Sequence, residues 1–146
     1  MVYQWKPASQ IKADAQEAGK VCEELERTVG LTAKTLLDAS RPKNAPLHGE
    51  FEWDDTVAAE AYRETQAQYI IRMLCVAPDE EREEPVRAYF VTEKAKVYDS
   101  VNVILQDIDK RSALLDIAMK ELAAFKRKYC MLSELTDVFA AIDKTV

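Results

Sequence analysis

Residues 40–55, SRPKNAPLHGEFEWDD, limit what this chain can fold into more than any other segment, because they separate two long stretches of helical spacing. Pro42 and Pro46 withhold backbone N–H groups and push the residues before them out of helical geometry, so no single helix runs through. The segment also carries the only histidine and one of the two tryptophans. A solvated loop has no use for Leu47, Phe51 and Trp53 so close together. Their crowding predicts a segment that folds back onto the protein or onto a partner. Leu47, His48, Glu50, Phe51, Glu52, Trp53, Asp54 and Asp55 form the candidate interaction surface.

The spacing on either side predicts helices. Val2, Tyr3 and Trp5 make a lead-in apolar enough to dock, and Ser9 offers an N-cap. Ile11, Ala15, Ala18, Cys22, Leu25 and Val29 then mark one helical face, which Gly30 closes. Thr32 starts a short second helix to about Ala39, burying Leu36 and Leu37. Asp54 or Asp55 caps a third helix with Val57, Ala58, Ala61, Tyr62, Tyr69, Ile70, Met73 and Leu74 on its apolar face, ending near Cys75 or Val76. Residues 79–84, DEEREE, read as a solvated acidic loop. The run 85–92 is β-branched and aromatic and predicts a strand. A turn at 93–96 leads to a second strand over 96–104, with a helix from Ser100 as the competing reading. Asp107 caps the longest helix, Ile108 to Tyr129, and Ser133 caps a last one with Leu135, Val138, Phe139 and Ile142 on its face. The expected fold is mainly α, about five helices bundled with a two-stranded antiparallel hairpin near 86–104. It is read as one domain over 1–146, with the acidic loop as the only joint, dividing 1–78 from 85–146.

Composition narrows the function classes. The chain has 146 residues, enough for a real core, and a net charge of -6, which disfavours a non-specific grip on nucleic acid. Cys22, Cys75 and Cys130 are far apart among apolar neighbours and read as reduced core thiols of a cytoplasmic protein. The N-terminus lacks an apolar signal core, and no apolar run approaches the roughly 20 residues that span a bilayer. No membrane association and no cofactor are expected.

Standard catalytic signatures are absent, and any histidine-dependent mechanism would have to use His48. His48 with Glu50, Glu52 or Asp54 has the donor types for a divalent ion, but a turn-holding histidine explains the same residues. Glu23 with Glu26, and Glu52 with Asp55, repeat the ExxE and ExxD spacings of all-α nucleotide pyrophosphohydrolases of the MazG type. Glu52 lies before the expected helix cap, however, and an acidic chain produces such pairs by chance. Gly30, Leu31 and Thr32 between two short helices resemble a helix-turn-helix corner. The second helix offers only Lys34 as a base, with Arg41 and Lys43 after it, so a plain helical hairpin fits better. Ile108, Leu115, Leu122 and Tyr129 recur every seven residues, with Leu114, Ala118 and Phe125 interleaved and Arg111 on one stripe position. Packing inside the monomer is the expected role of that stripe, with a homodimer through it or through the hairpin edge as the other partnership.

The block APLHGEFEWDDTVAAEAYRETQAQYIIRML, the tail ELAAFKRKYCMLSELTDVFAAID and the lead-in VYQWKPASQIKADAQEAG together resemble a group of small bacteriophage and prophage proteins, FEWDD being the most specific part. The resemblance implies a phage setting and brings no catalytic residues. The expected function is that of a non-catalytic accessory protein that binds another protein of host or phage, in a variant form inhibiting a nucleic-acid-handling or defence system with carboxylates in place of phosphates. The alternatives are the helix-turn-helix DNA-binding regulator and the metal-dependent pyrophosphohydrolase.

Overall fold

A computed structural model describes residues 1–57, 59–92 and 96–145. The fold is mainly α, with two small antiparallel sheets. The chain forms two compact units, Met1–Val103 and Ile104–Val146. The expected residue Ala58 of the third helix, and Glu93 to Ala95 of the expected turn, lie outside the described residues.

In the first unit the lead-in docks as strand β1 (Tyr3–Trp5), and Tyr3 is buried. It pairs antiparallel with β2 (Leu74–Val76), Tyr3 opposite Val76 and Trp5 opposite Leu74. The helical spacing predicts an end near Cys75 or Val76, where the structure has this strand instead. Helix α3 (Glu60–Met73) stops two to three residues short of that expected end because the Met73 carbonyl accepts from Lys6 N–H at 2.9 Å and Leu74 turns extended. On the far side of β2 lies β3 (Val86–Arg87), so the acidic run 79–84 sits between two paired strands within this unit.

Helix α1 (Ala15–Thr28) is capped by Asp14, whose carboxylate accepts from Glu17 N–H, and not by Ser9. Ser9 Oγ accepts from Ile11 N–H in a local turn, which leaves Ile11 outside the helix. Gly30 closes α1 as expected, at a φ of 89° that suits a residue without Cβ, its N–H donating to the Leu25 carbonyl. Gly19 in mid-helix answers to a different constraint. A Cβ there would come within 2.0 Å of the Tyr3 ring, so the helix lets β1 lie directly on its backbone. Thr32 and Thr35 form a reciprocal capping box that starts α2 (Ala33–Ser40), which buries Leu36 and Leu37 as its spacing predicts.

The expected hairpin is present in shortened form. β4 (Tyr89–Val91) pairs antiparallel with β5 (Tyr98–Ser100). The run expected as one strand is divided at Ala88, whose N–H donates to the Leu74 carbonyl while its own carbonyl accepts from Val101 N–H. Residues before it join one sheet and residues after it the other. The second strand ends at Ser100, and α4 (Val101–Gln106) begins there, as the competing helical reading had it. The core of this unit gathers Tyr3, Cys22, Leu31, Leu36, Ile71 and Tyr89.

In the second unit Asp107 caps α5 (Ile108–Tyr129), its carboxylate accepting from the N–H groups of Asp109 and Lys110. After a 3-10 turn at Ser133–Leu135, where Ser133 supplies no side-chain cap, α6 (Thr136–Thr145) begins. Phe139 and Ile142 of α6 are buried, Val138 is exposed, and α5 has no buried residue. The expected core role of the α5 stripe is therefore not realised in the fold. Cys130 is exposed, correcting its reading as a core thiol; Cys22 and Cys75 are buried.

Candidate functional site

The chain between α2 and α3 wraps as a strap in which Leu47, Phe51 and Trp53 turn toward the protein. Leu47 and Phe51 are buried, and Trp53 is half-buried. His48 opens a short 3-10 turn, and its ring stacks on Trp53 with centroids 4.8 Å apart and planes 7° from parallel. The Trp53 Nε1–H donates to the His48 carbonyl at 2.8 Å, closing the turn on itself. His48 Nδ1 lies 3.0 Å from the Ser40 carbonyl, which can only accept, so Nδ1 carries the proton of that hydrogen bond. These contacts use the histidine to join the two ends of the strap.

Each acidic residue of the candidate surface has its own role. Glu50 Oε1 accepts from Lys12 N–H at 2.9 Å and Ala13 N–H at 2.7 Å, pinning the strap to the segment before α1. That anchorage is why the chain stays irregular from Ser9 to Asp14. Glu52 accepts from Asp54 N–H through its carboxylate and from Arg63 Nε through its carbonyl. Neither Asp54 nor Asp55 caps α3; the first residue before the helix is Ala59, with no side-chain cap. Asp54 instead accepts from the N–H and hydroxyl of Thr56, and those hydrogen bonds, the hydroxyl's first, hold its carboxyl below its ordinary range. Val57, expected on a buried helical face, is 68% exposed in this turn.

Arg63 is the functional-looking residue that sequence reading missed. The buried face of α3 is Arg63, Ala67, Ile70 and Ile71, rotated away from the expected one, and Tyr62 is exposed. The guanidinium donates to the Glu52 carbonyl at 2.8 Å and to Asp55 Oδ1 at 2.5 Å, with Glu60 at 3.4 Å. It lies 5.5 Å from the Trp53 ring centroid, and Arg41 lies 6.0 Å from the same ring. Arg41 also pairs with Asp38 and Glu60. Hydrogen bonding to Asp55 raises the Arg63 pKa, and the Arg41 partner lowers that of Glu60. A cation over a half-buried indole is an attractive arrangement, strongest when water is excluded. A signal existed in the sequence: Arg63 continues the Ala67, Ile70, Leu74 stripe backwards, and a charged residue on an apolar stripe calls for partners nearby.

The residues of the other two readings are also engaged. Glu23 accepts from the Tyr3 hydroxyl and Glu26 from Ser100 N–H, both at 2.7 Å. Among the described residues no group of three or more His, Cys, Asp or Glu is gathered to hold a metal. Of the two bases after α2, Arg41 is committed to the carboxylates of Asp38 and Glu60. No described helix is long and apolar enough to cross a membrane.

Beside the strap lies an open groove of about 440 Å³, lined by Gln10, Ile11 and Glu50 on one part and by Tyr62, Gln66 and Tyr69 of α3 on the other. Gln66 Oε1 accepts from Glu52 N–H at 3.2 Å, and the Tyr69 hydroxyl lies 3.4 Å from the Gln10 amide nitrogen. Glu50 thus belongs to both strap and groove, and the strap fixes one wall of the groove. No family model, curated protein or solved structure matches the chain.

Proposed function

We propose that this chain works by binding another protein, through the groove that runs beside the strap. The supporting observation is the groove itself, an open channel of about 440 Å³ with two tyrosines and two glutamines in its lining. Tyrosine supplies rigid apolar area with a hydrogen-bonding tip, and a primary amide can donate to and accept from the main chain of an extended segment. The reading is non-catalytic: the His48 ring is engaged by Trp53 and the Ser40 carbonyl, and Glu50, in the groove lining, by two backbone amides. The phage or prophage setting rests on the resemblance of the FEWDD block. Within it, a target that handles nucleic acid or defends the host suits the exposed Asp54, Asp55 and acidic run 79–84.

The test is cross-linked affinity capture from host lysate with the native chain and with Tyr62→Ala. Tyr62 is exposed at the groove, so its removal leaves the fold intact. A specific protein retained by the native chain and lost by the variant supports the reading. Capture of nothing specific, or equal retention by both, overturns it. Retention of duplex DNA at low salt, or turnover of a nucleoside triphosphate with Mg²⁺, would also overturn it in favour of the two alternatives.

A further inference from the structure

Helix α5 is 22 residues long, about 33 Å at 1.5 Å per residue, and has no buried side chain. Its large apolar residues are nevertheless not scattered. Ile108, Leu115 and Leu122 are 86%, 56% and 38% exposed and lie seven residues apart. Ala118 falls between Leu115 and Leu122, Phe125 follows Leu122 by three residues with one side of its ring beside Phe139 of α6, and Leu132, also exposed, continues the series beyond the helix end. A strict seven-residue repeat is the pattern of a helix that meets another helix of the same repeat along a narrow seam. It differs from the broader apolar face that a globular core demands.

We propose that α5 is a dimer seam, in which a second copy of this chain lays its own α5 antiparallel along the exposed stripe. Three observations select this occupant. The same stripe on a second copy supplies the matching repeat, and a two-fold pairing is self-complementary. Charge along the helix changes sign, with Asp107, Asp109 and Asp116 outnumbering Lys110 and Arg111 at the start and Lys120, Lys126, Arg127 and Lys128 outnumbering Glu121 at the end. Antiparallel copies therefore bring unlike ends and opposed helix dipoles together. The stripe position held by Arg111 gives the direction. Side by side in parallel, two Arg111 side chains would meet in the seam. In the antiparallel register that sets Leu115 against Phe125 and Ala118 against Leu122, Arg111 lies across from Tyr129, a cation facing an aromatic ring.

That register also carries a cost that makes it testable. Glu121 flanks the seam near the two-fold axis, so the two copies of Glu121 approach each other. In a parallel pair the same residue would instead reach Lys126 of the other chain.

The experiment is sedimentation of the full chain from about 1 to about 200 μM, a range in which an interface of a few turns dissociates measurably. The native chain is expected to run as a concentration-dependent dimer. Leu115→Glu should raise the dissociation constant about a hundredfold or more, since a symmetric seam loses the residue twice. Its circular dichroism should stay native, because the side chain is not part of the core. Glu121→Gln should tighten the dimer several-fold. A native chain that stays monomeric throughout overturns the proposal, as does a Leu115→Glu variant that still dimerises or that unfolds. Weakening by Glu121→Gln overturns the antiparallel geometry.

Discussion

Helices α1 and α5 carry the same kind of sequence signal and end in opposite environments. α1 presents Ala18, Cys22 and Leu25 at spacings of four and three, and buries the first two completely. α5 presents Ile108, Leu115 and Leu122 at spacings of seven, and leaves all three exposed. The difference lies in what each finds to cover its face. Around α1 the chain supplies β1, laid on Gly19, together with α2 and β5. Around α5 the second unit supplies α6, with Phe139 beside Phe125 and Lys126 paired with Asp143. Periodicity tells that a helix has a face; non-local chain decides whether that face becomes core.

The comparison is broken most severely by pH. Cys22, Tyr3 and Tyr89 all lie in the core of the first unit, and burial pushes the Cys22 thiol from its ordinary 9.0 up to about 12. Burial likewise raises both phenols, Tyr3 further through its hydrogen bond to Glu23. Each group is held protonated in the fold and ionises more readily in the unfolded chain. Their contribution to stability is therefore complete below pH 9 and is lost as pH climbs through the folded values. Thermal melts from about pH 8 to about pH 11 should fall steeply above pH 9, and Cys22→Ala should soften the fall. A melting temperature that stays level across that range would mean the cluster is not desolvated.

Single side chains come next. Leu36→Ala removes a fully buried side chain from the first unit and should cost about 2–5 kcal/mol in chemical denaturation. Leu115→Ala, the same deletion on α5, should cost under about 0.5 kcal/mol in dilute monomer. Equal costs would erase the contrast between the two helices. Gly19→Ala should cost about 1–3 kcal/mol, because the added Cβ displaces the Tyr3 ring and lifts β1, despite the higher helix propensity of alanine. Trp53→Ala should fall in a similar range, about 1–3 kcal/mol, since the indole is half-buried but holds the strap through His48, Phe51 and Arg63.

Features that depend on a few neighbouring residues were legible in the sequence. Gly30 as a terminator, Thr32 and Asp107 as caps, and the buried pair Leu36 and Leu37 each rest on chemistry within one or two turns. The strap was legible as an inward-folding segment for the same reason, with Leu47, Phe51 and Trp53 in it. Its architecture was not. The cap of α1 moved to Asp14 because Glu50, 37 residues from Ala13, takes the amides before the helix. β1 and β2 are three-residue strands some seventy residues apart, too short to register as strands alone. Arg63 appeared as one charged residue among many until Glu52, Asp55 and Trp53 closed around it.

The two helix caps give the smallest and most discriminating test of the contrast. Thr32 in the first unit accepts from Thr35 N–H at 3.0 Å, and Asp107 in the second accepts from Asp109 and Lys110 N–H, both at 3.0 Å. Replacing either by alanine orphans helix-terminal donors and costs about 1 kcal/mol of local helix stability. The consequences should differ. α2 is welded into the core through Leu36 and Leu37, so Thr32→Ala should lower the melting temperature of the whole first unit by a few degrees, roughly as that loss converts for a domain of this size. α5 has no buried residue to transmit the loss. Asp107→Ala should therefore appear as faster amide hydrogen exchange confined to residues 108–111, with little change in the global melt. Fraying confined to the start of α2 in Thr32→Ala, or a global loss in Asp107→Ala, would place the cooperative core elsewhere than the burial pattern does.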